Sequence, residues 1–215
     1  MNRIKLIVLI FSLLMTGATH AQEELSAQPG TQDSTHRQHY MGSSLFVLAN
    51  FSSNDSPSFY QLDYGYRLTP KDAILIQAIT WKYYAPLGIP YGSSYSVGIK
   101  DPDESYPGSV TAYGVGVGYQ RFLWKSLYST VHATPFYQRF VNSENKKIQE
   151  GFQLFLQLRF GYRMEFFNNQ FYFEPSVAFN YWPINTNFPA SFAKIESKWP
   201  NYFLFEPGLN FGINF

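Results

Sequence analysis

The chain has 215 residues, a formal charge of +1, 20% aromatic residues and no cysteine. The missing cysteine excludes disulfides, thiol catalysis, cysteine metal sites and the lipidated cysteine of a lipoprotein. The near-neutral charge argues against a nucleic-acid partner, and the length suits one large all-β domain or two small ones.

Residues 1–21 read as a secretory signal. A basic start with Arg3 and Lys5 precedes the apolar run LIVLIFSLLM, and small residues at Thr19 and Ala21 mark a cleavage point. Residues 22–41 are polar and without period, which predicts a flexible periplasmic leader. His36 and His39 lie within it, and a segment without fixed backbone predicts no metal there.

From residue 42 onward no amphipathic helix longer than two turns is legible. Eight runs read as strands: 43–51, 59–68, 73–84, 111–122, 128–140, 151–166, 171–183 and 202–215. Each reaches the nine to eleven residues, roughly, that a tilted strand needs to cross a bilayer. The links TPKD, LWKSL and FNNQ are short, and they alternate with the segments 52–58, 85–110, 141–150 and 184–201. Such alternation predicts a single eight-stranded antiparallel up-and-down transmembrane barrel over 42–215, with tight periplasmic turns and longer outer loops.

The faces support this reading. In the sixth run Phe152, Leu154, Leu156, Leu158, Phe160 and Tyr162 share one side, and Gln153, Gln157, Arg159 and Arg163 the other. If FNNQ is a four-residue turn, Arg163 stands opposite Glu174 and Gly161 opposite Ser176. The fifth run, joined through an odd-length turn, puts His132 opposite Gly118 and Phe136 opposite Gly114. Applied to TPKD, the same rule places Asp63 opposite Ala78, turns Ile74, Ile76 and Lys82 inward and leaves Gln77 facing lipid. Pro135, Pro175 and Pro207 fall on the outward face, and each requires a bulge or a break in the ladder.

Asp63, Arg67, His132, Arg159, Arg163, Glu174 and Glu206 then form an interior polar network, with Glu206 an inward partner for arginine. The row Gly114, Gly116, Gly118 leaves room for Trp182, Phe155 or Tyr128. Two readings lean towards chemistry: Glu174 and Glu206 on adjacent strands as an acid–base pair, set against an interior salt-bridge network, and His132 with Thr134 and an acid. No catalytic, cofactor-binding or metal residue is expected.

The last residues, Leu209, Phe211, Ile213 and Phe215, are apolar at every second position and end on phenylalanine. This resembles the terminal assembly signal of bacterial outer-membrane barrels. The whole chain is similar in size to small eight-stranded barrels of the OmpA and OmpX class and to lipid A deacylases. The deacylases carry a His-x-Ser pair where this sequence has His132 and Thr134. The resemblance implies an outer-membrane location with both termini periplasmic, surrounding lipid and the barrel-assembly machinery as partners, and a monomer. It implies a non-enzymatic structural or surface-interaction role through the loops, an extracellular ligand being expected at 85–110 and 184–201. A narrow channel or carrier and a lipid A-modifying enzyme are the alternatives.

Overall fold

A computed structural model describes residues 37–51, 56–90 and 105–215. The signal at 1–21, His36, most of the leader and the acidic stretch 101–104 lie outside the described residues.

The strands are β1 (His39–Ser44), β2 (Tyr60–Arg67), β3 (Asp72–Tyr83), β4 (Gly108–Trp124), β5 (Leu127–Asn142), β6 (Lys147–Tyr162), β7 (Met164–Phe166), β8 (Phe171–Thr186) and β9 (Tyr202–Asn214). Sequential neighbours pair antiparallel, β9 pairs with β1, and β6 and β7 both pair with β8, so the sheet closes on itself. β6 and β7 are one stave interrupted at Arg163. The fold is therefore an all-β, eight-staved antiparallel barrel, as expected.

Alternation sorts the side chains. Ala73, Leu75, Ala112, Tyr128, Phe136 and Trp182 point in and are buried, whereas Ile74, Ile76, Val115, Val117, Leu158 and Ile213 point out and are exposed. The apolar outer surface runs round the barrel, far larger than a water-soluble monomer presents. Tyr60, Tyr113, Tyr137 and Phe152 lie in one registered row across it and are all exposed. Such an exterior suits hydrocarbon bounded by aromatic side chains.

Prolines explain the irregularities. Besides a register shift between Phe122 and Trp124 near the turn, the β4–β5 ladder is interrupted at Val115 and Gly116, the residues facing Pro135 and Thr134. Asn214 N donates to Gln170 O, so even-numbered residues of β8 bond to β9 and odd-numbered ones, Pro175 included, face β6 and β7. Pro175 has no N–H to give there, and the stave breaks opposite it. Pro183 occupies the bulge where β8 gains a residue on β6. Pro207 shares the phase of Phe215, whose N–H bonds to His39, so its missing donor faces the β1 side. Pro175→Val should restore one ladder bond and raise stability by about 0.5–1.5 kcal/mol, read as a higher urea midpoint of the folded protein. An unchanged midpoint would show that something else interrupts the stave at Arg163.

Four sequence expectations are corrected. The first strand is not 43–51: it begins at His39, inside the leader segment, and ends at Ser44, after which Leu45–Phe51 is a 3-10 turn. His39 is held by a 2.6 Å contact of Nδ1 with Tyr64 Oη and by stacking on Phe215. In the third run Asp63 pairs with Gln77, not Ala78, because Leu68 N closes the turn on Asp72 O and shifts the phase by one residue. Gln77 is thus buried, and Ile74 and Ile76 face outward. In β9 the simple alternation fails: Leu204 and Phe205 together oppose Phe179, with Phe205 at φ 71°. This bulge leaves both residues exposed and returns Phe203 and Glu206 to the lumen side.

Candidate functional site: a lumen plugged at one end and hollow at the other

The lumen has three levels. The first lies at the end of the barrel where residues 39 and 215 meet and the short turns lie. There Tyr40, Ala73, Leu75 and Tyr172 form a buried cluster. Gly65 faces the Tyr40 ring and Gly161 the Tyr128 ring so closely that a Cβ at either position would stand inside ring contact distance. Glycine on one stave is what lets a tyrosine on the next lie flat across the lumen.

Arg163 threads this layer. Its guanidinium carbon lies 4.4 Å from the Tyr40 ring centre and 4.3 Å from that of Tyr172, and its Nε is 2.5 Å from Glu174 Oε1. Both charged side chains are almost fully buried. Tyr40 Oη donates to Gln120 Oε1 at 2.8 Å, and Arg163 Nη2 reaches the same oxygen at 3.4 Å. Below them Arg67 bonds Glu165 at 3.0 Å, and Asn214 joins Glu165 from the closing strand. The space between this layer and His132, Gln157 and Arg159 above it is a pocket of only about 30 Å³. The layer is a plug.

Above it lies a polar shelf. Arg159 Nη1 donates to Ser176 Oγ at 2.7 Å, and its Nε and Nη2 donate to Gln157 Oε1 at 3.2 and 3.1 Å. Gln157 Nε2 donates to Asn180 Oδ1 at 2.9 Å, and Asn180 Nδ2 to Glu206. Among the described residues Arg159 has no carboxylate within ion-pair distance. Glu206 is therefore inward as expected, but its partner is an asparagine amide rather than an arginine. Asp63 likewise takes amide donors, from Gln61 at 2.5 Å and Gln77 at 2.9 Å.

His132 faces the lumen from β5, opposite Gly118. Its Nε2 is buried and has no hydrogen-bond partner among the described residues. Thr134 bonds Gln77 at 3.3 Å and not His132. The glycine row Gly114, Gly116, Gly118 is covered by Phe136, Thr134 and His132 of the adjoining strand. The expected fillers Trp182, Phe155 and Tyr128 lie elsewhere, because a flat neighbour on the next stave already uses the space.

The third level is an aromatic collar. Trp81 stacks on Phe136 at 5.7 Å and Phe155 on Trp182 at 5.9 Å, with Trp81 and Phe155 edge to face. Shelf and collar line a partly open cavity of about 970 Å³, whose lining also includes Phe46, Phe59, Phe203 and Leu209. That volume is at the upper end of small-molecule sites.

Helix α1 (Ala190–Glu196) caps the far end, in the segment 184–201. Its Phe192 is buried against Tyr106 and Phe140, and Tyr106 Oη hydrogen-bonds the Glu196 carboxylate. Burial holds the Glu196 carboxyl above its ordinary range, partly opposed by that bond. Burial and the neighbouring Glu196 carboxylate push the Tyr106 hydroxyl up.

The site residues named from sequence thus split into two groups. Arg67, Arg163 and Glu174 belong to the plug, with Asp63 at its upper edge, and His132, Arg159 and Glu206 line the cavity. The aromatic collar was not foreseen. Phe155 and Trp182 are placed inward by the sequence alternation, whereas Trp81 is hidden by the one-residue phase shift of the third run. Leu209, Phe211, Ile213 and Phe215 all face outward and are exposed. Among the described residues no three His, Asp or Glu side chains form a metal-binding group.

No protein-family model and no curated protein matches the sequence. Among solved structures the chain is similar to Ail, the attachment invasion locus protein of Yersinia pestis, solved with the heparin analogue sucrose octasulfate. Identity is 11%, over 83% of this chain and 94% of that one, with a TM-score of 0.40. The closed ring of registered strands identifies the barrel fold by itself.

Proposed function

We propose that this chain is an integral outer-membrane barrel, termini on the periplasmic side, that binds a small ligand non-enzymatically in the outer half of its lumen. The observation that carries the proposal is the asymmetry of the interior: dense at the end of the termini, hollow at the other. A plugged base argues against a through channel. An Arg159 held by neutral partners, a buried His132 Nε2 and aromatic walls are the mixture of convergent polar groups and apolar surface that small-molecule sites use. The rim segments 85–90, 105–110 and 184–201 form the outward surface, and the ligand passes them or the wall beside them. Reading His132 as a catalytic base lacks support, since no hydroxyl nucleophile or carboxylate is bonded to it.

Two measurements test this. Planar-bilayer recording of the purified protein should stay silent, and regular conductance steps would overturn the closed base. Native mass spectrometry after mild extraction should show a carried small molecule, and Ser176→Trp, which fills the shelf, should remove it. A barrel that is always empty, or cargo indifferent to Ser176→Trp, would overturn the binding reading.

A further inference from the structure

One row of the barrel wall holds two opposite charges that do not touch. Arg159 of β6 registers with Ala178 of β8, and Ala178 with Glu206 of β9. Both charged residues are half-buried and line the cavity. Ala178 between them is fully buried, and a side chain that small lets the arginine cross β8. The guanidinium comes to rest over Gly208 of β9, where a Cβ would stand 2.5 Å from Nη1. Gly208 and Glu206 are successive inward positions of β9, about 7 Å apart along the strand. Among the described residues, even so, neither charge has an opposite charge within ion-pair distance.

A relay of amides holds the two heads apart. Gln157 Oε1 accepts from Arg159, Gln157 Nε2 donates to Asn180 Oδ1, and Asn180 Nδ2 donates to Glu206. Every donor in the relay points from the cation towards the anion, so each bond strengthens the next. At the other end Ser176 Oγ accepts from Arg159 Nη1 and donates to Gly208 O, which fixes the seat of the guanidinium. These contacts use three of the five guanidinium N–H groups and one oxygen of Glu206.

The apolar part of the site begins one step away. On β8 the inward residue after Asn180 is Trp182, which stacks on Phe155 in the collar. Lys82, the remaining charged residue of the lining, follows Trp81 in β3, and its Nζ lies 5.0 Å from the Tyr84 ring centre.

We infer that the cavity holds a zwitterion: a small molecule with an anionic group for Arg159, an ammonium group for Glu206 and an apolar body that lies against the collar. The inference rests on the ligand-binding reading above and names the charges of the ligand. In the partly open cup both heads are within reach of water. A ligand seated on the shelf removes that water, and a charge desolvated without a partner is costly. A plain acid would compensate Arg159 and leave Glu206 unpaired, and a plain amine would do the reverse. A ligand carrying both charges compensates both.

The test uses the full chain in a non-ionic micelle, where Trp81 and Trp182 on the cavity wall report contact with bromine. Three probes share one brominated ring. 4-Bromophenylalanine carries both charges, 3-(4-bromophenyl)propionate only the acid, and 2-(4-bromophenyl)ethylamine only the amine. The zwitterion should quench saturably and bind at least tenfold tighter than either single ion. Glu206→Gln should abolish its advantage over the acid, and Arg159→Met its advantage over the amine. Gly208→Ala, which unseats the guanidinium, should weaken the zwitterion at least threefold. The ranking of the probes on the parent protein decides even where a variant does not fold.

An acid or an amine that binds as tightly as the zwitterion would overturn the two-charge head while leaving the cup intact. An unchanged ranking in both charge variants would overturn the assignment to Arg159 and Glu206. No saturable binding by any probe would overturn the head in a barrel that still carries a molecule by mass spectrometry, and the cup with it in a barrel that is always empty.

Discussion

Glu174→Gln should destabilise the barrel by about 3–5 kcal/mol, read as loss of heat-resistant gel mobility at a lower temperature. The substitution keeps the shape of the side chain and removes only its charge. Arg163 then stays buried between Tyr40 and Tyr172 with only neutral oxygen acceptors, the new amide oxygen at position 174 and Gln120 at 3.4 Å. A buried cation that has lost its counter-ion retains its desolvation cost and loses its compensation. Glu174→Arg should be worse, because it sets two guanidinium groups in one layer. Adding Arg163→Glu to it should recover part of the loss, since the ion pair returns in reverse. Recovery stays incomplete because the tyrosine faces that attract a cation at position 163 would then meet a carboxylate. A double variant no more heat-resistant than Glu174→Arg alone would sink the account of the pair as the keystone of the plug.

The second large effect is electrical. Tyr40, Tyr128 and Tyr172 lie across the lumen, two of them seated on Gly65 and Gly161. Replacing all three by alanine removes the solid matter of the base while leaving Arg163, Glu174 and every outward residue in place. Discrete conductance steps should appear in a planar bilayer where the parent protein gives none. Each truncation should also cost about 3–5 kcal/mol of stability, so folding is checked by gel mobility. If the triple variant does not fold, Tyr172→Ala alone should still leak protons into dye-loaded vesicles faster than the parent. A folded triple variant as tight as the parent would show that the seal lies elsewhere.

Much of this fold is legible along the chain. Period-two patterning and the alternation of short and long links yield the staves; the apolar face of the fifth run yields the β4–β5 register and turn length the β6–β8 register, hence Gly118 opposite His132 and Gly161 opposite Ser176. The two errors of facing share a cause. Where a turn or bulge changes the residue count by one, every later side chain changes face, which is what happened after TPKD and at Leu204–Phe205. The unbroken apolar run YFLF at 202–205 carried the warning, since strict alternation cannot hold through it. LFVLANF reads equally as a strand or a tight helical turn, so the short β1 was hidden. The cavity was hidden because it is a space, bounded by residues from many staves, and its depth depends on the plug below.

The brevity of β1 has a mechanical consequence. Five residue pairs hold it to β9 and four to β2, whereas β5 and β6 share fifteen. The barrel is a hoop of long staves fastened by a short clasp. Any load that widens the hoop, whether bilayer thickening or lateral tension, is divided equally around the circumference but is resisted least at the clasp. The same feature makes β1 the place where the wall first comes apart on heating and the last to fasten on assembly. Backbone amides of His39–Ser44 should accordingly exchange hydrogen well before those of β5 and β6, although Tyr40 beside them is among the most deeply buried side chains in the protein.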